Sequence, residues 1–166
     1  MNLKTCSIFI GINISFLLGY NLYAQEKEMT PNQECEVLMN KMIIFSEQML
    51  TKYGEFYPYG SVMNNDQTIR AISYYDGNEK LQSQELIDNY IKLYKELAQK
   101  GEIKASAIIW DAKINSLEKN EKIDAVIVSL EHRDNYSVQV VFPYKMIKGK
   151  IIWEEVFAMK GLSNIF

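Results

Sequence analysis

Apolar residues recur along this chain with two different periods, and the change of period divides it into helices and strands. Between Thr30 and Gly54 they recur every three or four positions, which is typical of a helix with one buried face. Thr30 followed by Pro31 favours a helix start, and Gly54 favours the helix end. A second helix is predicted between Ser83, its expected cap, and Gly101.

Strand patterns occupy most of the remaining chain. Aromatic and β-branched residues at Phe56 to Met63 and at Thr68 to Tyr75, joined by turn-forming residues, predict a β-hairpin. Beyond the second helix the period becomes two, and four more strands are predicted at Ile103 to Lys113, Lys122 to Glu131, Tyr136 to Phe142 and Lys150 to Glu155. Because most of the links between these strands are short, we expect antiparallel pairing.

The predicted element order, αββαββββ, indicates an α+β fold. We expect a single antiparallel sheet of about six strands with two helices packed on one of its faces. This layout is similar to that of profilin and roadblock domains, a likeness of topology that does not define a function. The sequence has no internal repeat or domain boundary, so residues 31–166 are expected to form one globular domain.

The first 24 residues have the pattern of a cleavable secretory signal peptide. One lysine precedes an apolar run from about Cys6 to Tyr20. This run of about 15 residues is shorter than the roughly 20 that a membrane-spanning helix needs. Cleavage after the small residue Ala24 would leave residues 25–30 as a loose lead-in. We therefore expect an exported protein, periplasmic or extracellular, with no membrane span in the mature chain.

Composition narrows the possible chemistry. The chain has 18 basic and 21 acidic residues and no run of basic ones, which disfavours binding to nucleic acid or anionic lipid. The expected mature chain keeps one cysteine, Cys35, and one histidine, His132, so we expect neither an internal disulfide nor a zinc site, and no cofactor. The turns at 64–66 and 76–79 contain oxygen ligands suited to calcium but lack EF-hand spacing, and turn formation explains them better.

Few residues are candidates for catalysis. His132 lies at the expected end of a strand, where it is either a general base or, as we expect, an exposed polar residue of a hairpin tip. Cys35 is on the apolar stripe of the first helix, which favours an inert buried thiol over a reactive one. The adjacent Glu154 and Glu155 are expected to point to opposite faces of a strand. The sequence therefore favours a non-enzymatic protein.

The most unusual local sequence is Glu55-Phe56-Tyr57-Pro58-Tyr59-Gly60. Strand alternation would place Tyr57 and Tyr59 on one face, and Tyr74 lies on the expected partner strand. These three tyrosines are the candidate binding residues. They either fill the space between sheet and helices or form an aromatic surface for a protein or glycan partner. Pro58 indicates that its strand lies at a sheet edge.

This motif, with Phe142-Pro143-Tyr144 later in the chain, resembles a group of small bacterial α+β proteins over most of the expected mature domain. The resemblance implies no catalytic residues and, for some members, an immunity function, in which the protein binds and neutralises a toxin. We therefore expect an exported protein that binds another macromolecule, with a protein partner. The alternative is a carrier or an enzyme with a small-ligand pocket between sheet and helices.

The signal-peptide prediction has a direct test. The exported form should begin at Gln25, because Ala24 is the small residue that closely follows the apolar run. The intact mass of periplasmic or secreted material measures this start site. Recovery of the full chain from the membrane fraction would instead indicate an uncleaved anchor.

Overall fold

The computed structural model describes residues 28–73, 82–116 and 121–166. The predicted signal peptide lies outside these ranges, and so do the candidate binding residue Tyr74 and the turn at residues 76–79. The described helices are α1 (Pro31–Tyr53) and α2 (Ser83–Gln99). The described strands are β1 (Tyr59–Asn64), β2 (Ile69–Ile72), β3 (Ile103–Asn115), β4 (Lys122–His132), β5 (Tyr136–Ile147), β6 (Lys150–Trp153) and β7 (Phe157–Lys160). The predicted α+β class and element order are confirmed, with one additional short strand, β7.

The ends of α1 are those that the sequence predicts. The Thr30 hydroxyl accepts the Gln33 backbone N–H, and the Gln33 side chain accepts the Thr30 N–H, which forms a capping box. Gly54 adopts a left-handed conformation, φ 79°, and donates its N–H to the Leu50 carbonyl. Ser83, the predicted cap of α2, is instead its first helical residue; the N-cap is Gln82, whose side chain makes no capping bond.

The strands form one antiparallel sheet in the order β2-β1-β3-β4-β5-β6, with β7 also paired to β5. β6 pairs with Tyr144–Ile147 of β5, whereas β7 pairs with Val138–Val141 of the same strand. β6 and β7 therefore lie end to end beside β5, separated by residues 154–156. The single strand predicted at Lys150 to Glu155 corresponds to the first of these two pieces.

The two helices cover opposite faces of the sheet, which corrects the expectation that both lie on one face. Ala105, Ala107 and Ile109 of β3 pack with α1, whereas the alternate residue Ile108 packs with α2. We call these two sides the α1 face and the α2 face. The two-residue period shows which side chains share a face, but it does not determine which face a later helix covers.

A β-bulge interrupts β3 near its start. Met63 of β1 is paired with Ala105, but the next residue, Asn64, is paired with Ile103, so Lys104 is an extra residue in the ladder. The bulge leaves Ile103 packed with α2 and directs Lys104 toward α1. Lys104, the second residue of an otherwise mainly apolar strand, thus reaches the helix that covers the α1 face.

Gly60 provides a test of how closely α2 packs on the sheet. A Cβ atom at Gly60 would overlap the hydroxyl oxygen of Tyr94, a buried residue of α2. Gly60→Ala should therefore lower the free energy of unfolding by about 1–3 kcal/mol, as overpacking does. Urea melts measure this loss. The Tyr94 hydroxyl has no hydrogen-bond partner among the described residues, so Tyr94→Phe alone should leave the free energy of unfolding unchanged within error. In the double variant Gly60→Ala/Tyr94→Phe, removal of the hydroxyl should recover much of the stability that Gly60→Ala loses. Equal losses in the single and double variants would contradict the close approach.

Candidate functional site

The aromatic motif does not form a regular strand along its whole length. The predicted strand starts at Phe56, but the observed strand β1 starts at Tyr59. Tyr57 is 68% exposed, whereas Phe56 and Pro58 are buried and Tyr59 is partly buried. The paired strand therefore begins only at residue 59, and the two tyrosines have different environments.

β1 is an interior strand, which corrects the prediction made from Pro58. β1 pairs with β2 on one side and with β3 on the other. Pro58 immediately precedes Tyr59, the first paired residue of β1. Because Pro58 lies outside the paired residues, its nitrogen does not need to donate a hydrogen bond to a neighbouring strand. On this side of the sheet the edge strand within the described ranges is β2, which pairs with β1 only, so the edge lies one strand further out than Pro58 indicated.

Tyr59 connects β1 to the middle of α1. Its hydroxyl donates a 2.7 Å hydrogen bond to the Met42 carbonyl oxygen, and burial raises the pKa of this phenol well above its usual value. Its ring makes edge-to-face contacts with Phe45 at 5.2 Å and with Phe56 at 5.5 Å between centroids. The side chain of Tyr59 is therefore held in place by contacts within the protein, whereas the exposed side chain of Tyr57 is accessible to a partner.

A groove of about 480 Å³ lies between α1 and the β1–β2 hairpin. We call it the hairpin groove, and its lining is mainly apolar: Lys41, Met42 and Phe45 from α1, Tyr59, Gly60 and Ser61 from β1, Ile69, Ala71 and Ile72 from β2, and the adjacent Ser73. Phe45 is 47% exposed although its ring is in edge-to-face contact with Tyr59. Lys41 is the charged residue among the described residues of this lining, and its charge is positive.

His132 is buried, which corrects the expectation that it is exposed. Its Nε2 lies 2.9 Å from Oε2 of Glu34, while its Nδ1 accepts the Asp134 backbone N–H at 3.0 Å. An Nδ1 that accepts a hydrogen bond has no proton, so in this arrangement the ring proton is on Nε2 and is donated to Glu34. The other Glu34 oxygen forms a buried ion pair with Lys104. We call Glu34, Lys104 and His132 the ionic cluster.

The ionic cluster is built to hold elements together. Both ring nitrogens of His132 are engaged within the protein, and all three side chains are buried, so the histidine is poorly placed to act as a base on a ligand. Glu34 and Lys104 were missed by the sequence reasoning. The available signal was spacing, because Glu34 lies four residues before Leu38 and eight before Met42, on the buried stripe of α1.

The structure gives Cys35 an environment that suppresses its reactivity. Burial, together with the nearby carboxylates Glu34 and Glu131, raises the pKa of the Cys35 thiol to about 12. The thiolate is the nucleophilic form of cysteine, and very little of it is present at neutral pH. Cys35 contributes packing to the α1 face rather than a nucleophile.

Glu154 and Glu155 both line one pocket, of about 380 Å³. The chain leaves β6 after Trp153, so strand alternation no longer applies to this pair. Glu154 is also ion-paired with Lys145 of β5. In the described part of the chain, no set of three or more histidine, cysteine or acidic side chains is grouped as a metal site would require.

Comparisons with known proteins identify no relative of this chain: no protein-family model, no curated protein and no solved structure matches it. No helix within the described ranges is long and apolar enough to span a bilayer. The geometry of the molecule is therefore the basis for a functional proposal.

The thiol of Cys35 allows a chemical test of its burial. In a chain carrying Cys6→Ser, the folded protein should react with a thiol reagent about a thousandfold more slowly than the unfolded chain, because the folded pKa is about 12 against an ordinary value of 9.0. Because the pKa of the thiol is higher in the folded chain than in the unfolded chain, folding is favoured while the thiol is protonated. This contribution of Cys35 to stability is complete below pH 9 and is lost as the pH rises toward 12. Equal reaction rates in native buffer and in denaturant would contradict this environment.

Proposed function

We propose that this chain is an exported, non-enzymatic protein that binds another protein through the hairpin groove. One observation supports this proposal most strongly: a mainly apolar groove with an exposed aromatic side chain lies directly beside strand β2, whose outer side is unpaired within the described ranges. Apolar grooves with aromatic anchors are typical of protein interfaces.

Two features of the groove fit a protein segment as its occupant. Phe45 lines the groove, and Tyr57 lies two residues before the lining residue Tyr59; both are large, exposed aromatic residues. Phe45 is already held in place by its contact with Tyr59, so binding costs its side chain little entropy. An extended segment could add to the outer side of β2 and direct its alternate side chains into the groove. Lys41 at the groove would favour an acidic residue on that segment.

The composition of the groove supports a binding role over catalysis. Among the described residues that line it there is no histidine, cysteine or carboxylate. The hydroxyl of Tyr59 is engaged with Met42, and the Ser61 hydroxyl lies 3.2 Å from the Met42 sulfur. Binding and neutralisation of a toxin, which the family resemblance implies, would be one form of this function.

A small-molecule carrier is the alternative function, and one observation favours it. The volume of about 480 Å³ falls within the roughly 300–1,000 Å³ range of ligand pockets. A carrier would hold an apolar ligand against Phe45 and Tyr59 without any protein partner. Mass spectrometry of denatured exported protein would then detect a bound small molecule that Phe45→Ser removes.

The binding proposal predicts a site-selective loss of a partner. Phe45→Ser or Tyr57→Ser should abolish recovery of the partner from envelope and medium fractions of the producing cells, because each removes an exposed aromatic anchor. Ile152→Ser is the matched control, since Ile152 is 49% exposed against 47% for Phe45 but lies on β6, away from the groove. Tyr57→Ser and Ile152→Ser alter exposed side chains, so each should change the free energy of unfolding by no more than about 0.5 kcal/mol.

Two outcomes would contradict this proposal. One is a partner that is recovered equally with wild type, Phe45→Ser and Tyr57→Ser. The other is a partner that is lost with Ile152→Ser and retained with Phe45→Ser and Tyr57→Ser. Tyr59→Ala is not a suitable probe, because truncating a partly buried, hydrogen-bonded ring should itself cost about 3 kcal/mol of stability.

A further inference from the structure

The segment that follows β7 crosses the α2 face and is held there through its backbone. We call residues 161–166 the strap. Three successive backbone N–H groups of the strap donate to side chains of the sheet: Ser163 to Ser137 Oγ at 3.1 Å, Asn164 to Glu131 Oε1 at 3.0 Å, and Ile165 to Glu131 Oε2 at 2.8 Å. Each bond recognises the peptide backbone and not a particular side chain.

The acceptors belong to one row of polar side chains across the sheet. Ser106 of β3 is paired with Glu131 of β4, which is paired with Ser137 of β5, so all three point to the α2 face. We call them the polar row. Glu131 and Ser106 are buried, and the Ser106 hydroxyl has no hydrogen-bond partner among the residues that the structure describes. The row therefore has buried hydrogen-bonding capacity that the sheet itself does not satisfy.

A buried carboxylate requires donors. Without hydrogen bonds, a buried ionised group loses several kcal/mol relative to water. Here two backbone N–H groups of the strap supply one bond to each oxygen of Glu131. Backbone donors from a different peptide segment would satisfy the same carboxylate equally well.

An apolar pocket adjoins the polar row. Ile165 is buried in a cluster formed with Val62 of β1, Tyr94 of α2, and Ile103 and Ile108 of β3. The strap thus presents one aliphatic side chain to a pocket and three backbone N–H groups to polar acceptors. Most of its other side chains face outward, as shown by Leu162, which is 62% exposed.

We propose that the polar row and the Ile165 pocket form a second binding site, specific for an extended peptide segment, which the strap occupies as an internal ligand. The ligand it takes has three successive free backbone N–H groups, and therefore no proline among them, and an aliphatic side chain at the third position. Such a segment on another protein replaces the strap when the strap dissociates. This site lies on the α2 face, opposite the hairpin groove, and does not depend on the function proposed for that groove.

The local structure of the strap is suited to dissociation. Ser163 holds a left-handed backbone conformation at φ 50°, which is unfavourable for a residue with a side chain. Gly161 passes so close to Ser137 of β5 that a Cβ atom would overlap it, so the strap turns off the sheet at a residue without a side chain. A short segment held by few bonds opens at a lower free energy than the whole domain.

Peptide binding to the full chain tests this site. The probe is a fluorescent peptide of residues 160–166 with blocked ends, measured by anisotropy. Ile165→Asp should release the strap, because it places a second carboxylate in an apolar pocket near Glu131, and the peptide should then bind roughly tenfold tighter or more than it binds wild type. Leu162→Asp is the matched control, since it alters an exposed strap residue and should leave binding at the wild-type level. Adding Glu131→Gln to Ile165→Asp should weaken peptide binding about tenfold.

Hydrogen exchange on the wild-type chain covers the case in which Ile165→Asp does not fold. The amides of Asn164 and Ile165 should exchange through an opening of lower free energy than that of β3 and β4. Exchange of these amides only through global unfolding would overturn the proposal. So would a folded Ile165→Asp chain that fails to bind the peptide, or one that binds it equally with and without Glu131.

Discussion

The placement of α1 on the sheet depends on a buried ion pair. Glu34, in the first turn of α1, is paired with Lys104 of β3 and hydrogen-bonded to His132 of β4, so one carboxylate joins a helix to two strands. A buried pair of this kind gives little net stability compared with apolar packing, but removal of one partner is costly because it leaves a buried charge. The geometry also requires the bulge at Lys104, without which that side chain would not reach the helix.

A second contact, eight residues further along α1, fixes the other half of the helix over the sheet. The Tyr59 hydroxyl donates to the Met42 carbonyl, about 12 Å along the helix axis from Glu34 at 1.5 Å per residue. The two contacts together determine how α1 lies across the sheet and leave a gap beside β2, which is the hairpin groove. The groove therefore results from the packing of α1, while the strap and polar row belong to the opposite face, where α2 covers β1 and β3.

Much of the fold could be predicted from the sequence because local rules determine it. The capping box at Thr30 and Gln33, the stop at Gly54 and the strand alternation of β3 to β5 each depend on neighbouring residues only. The division of the helices between two faces could not be predicted, because it depends on long-range packing. The burial of His132 was missed for the same reason: its partner Glu34 lies 98 residues earlier in the chain.

The candidate site was predicted in part. Tyr59 and Gly60 of the predicted motif line the groove, but Phe45 and β2 complete it, and no local pattern in the sequence links those residues to the motif. Pro58 suggested an edge strand because proline cannot donate to a ladder, yet it stands just outside the paired residues of β1. The turn between β1 and β2 is another place where a residue preference does not match the structure. Gln67 adopts φ 67° there, a conformation in which glycine or asparagine is usually found.

The most direct test of this account is the cost of removing the negative charge of Glu34. Glu34→Gln should lower the free energy of unfolding by about 3–5 kcal/mol in denaturant melts, because it leaves the Lys104 ammonium buried without its counter-charge. The control is Asp124→Asn, which breaks the exposed 2.5 Å pair between Lys113 and Asp124 and should leave the melt unchanged within error. A loss for Glu34→Gln no larger than that for Asp124→Asn would contradict the claim that the ionic cluster holds α1 in place.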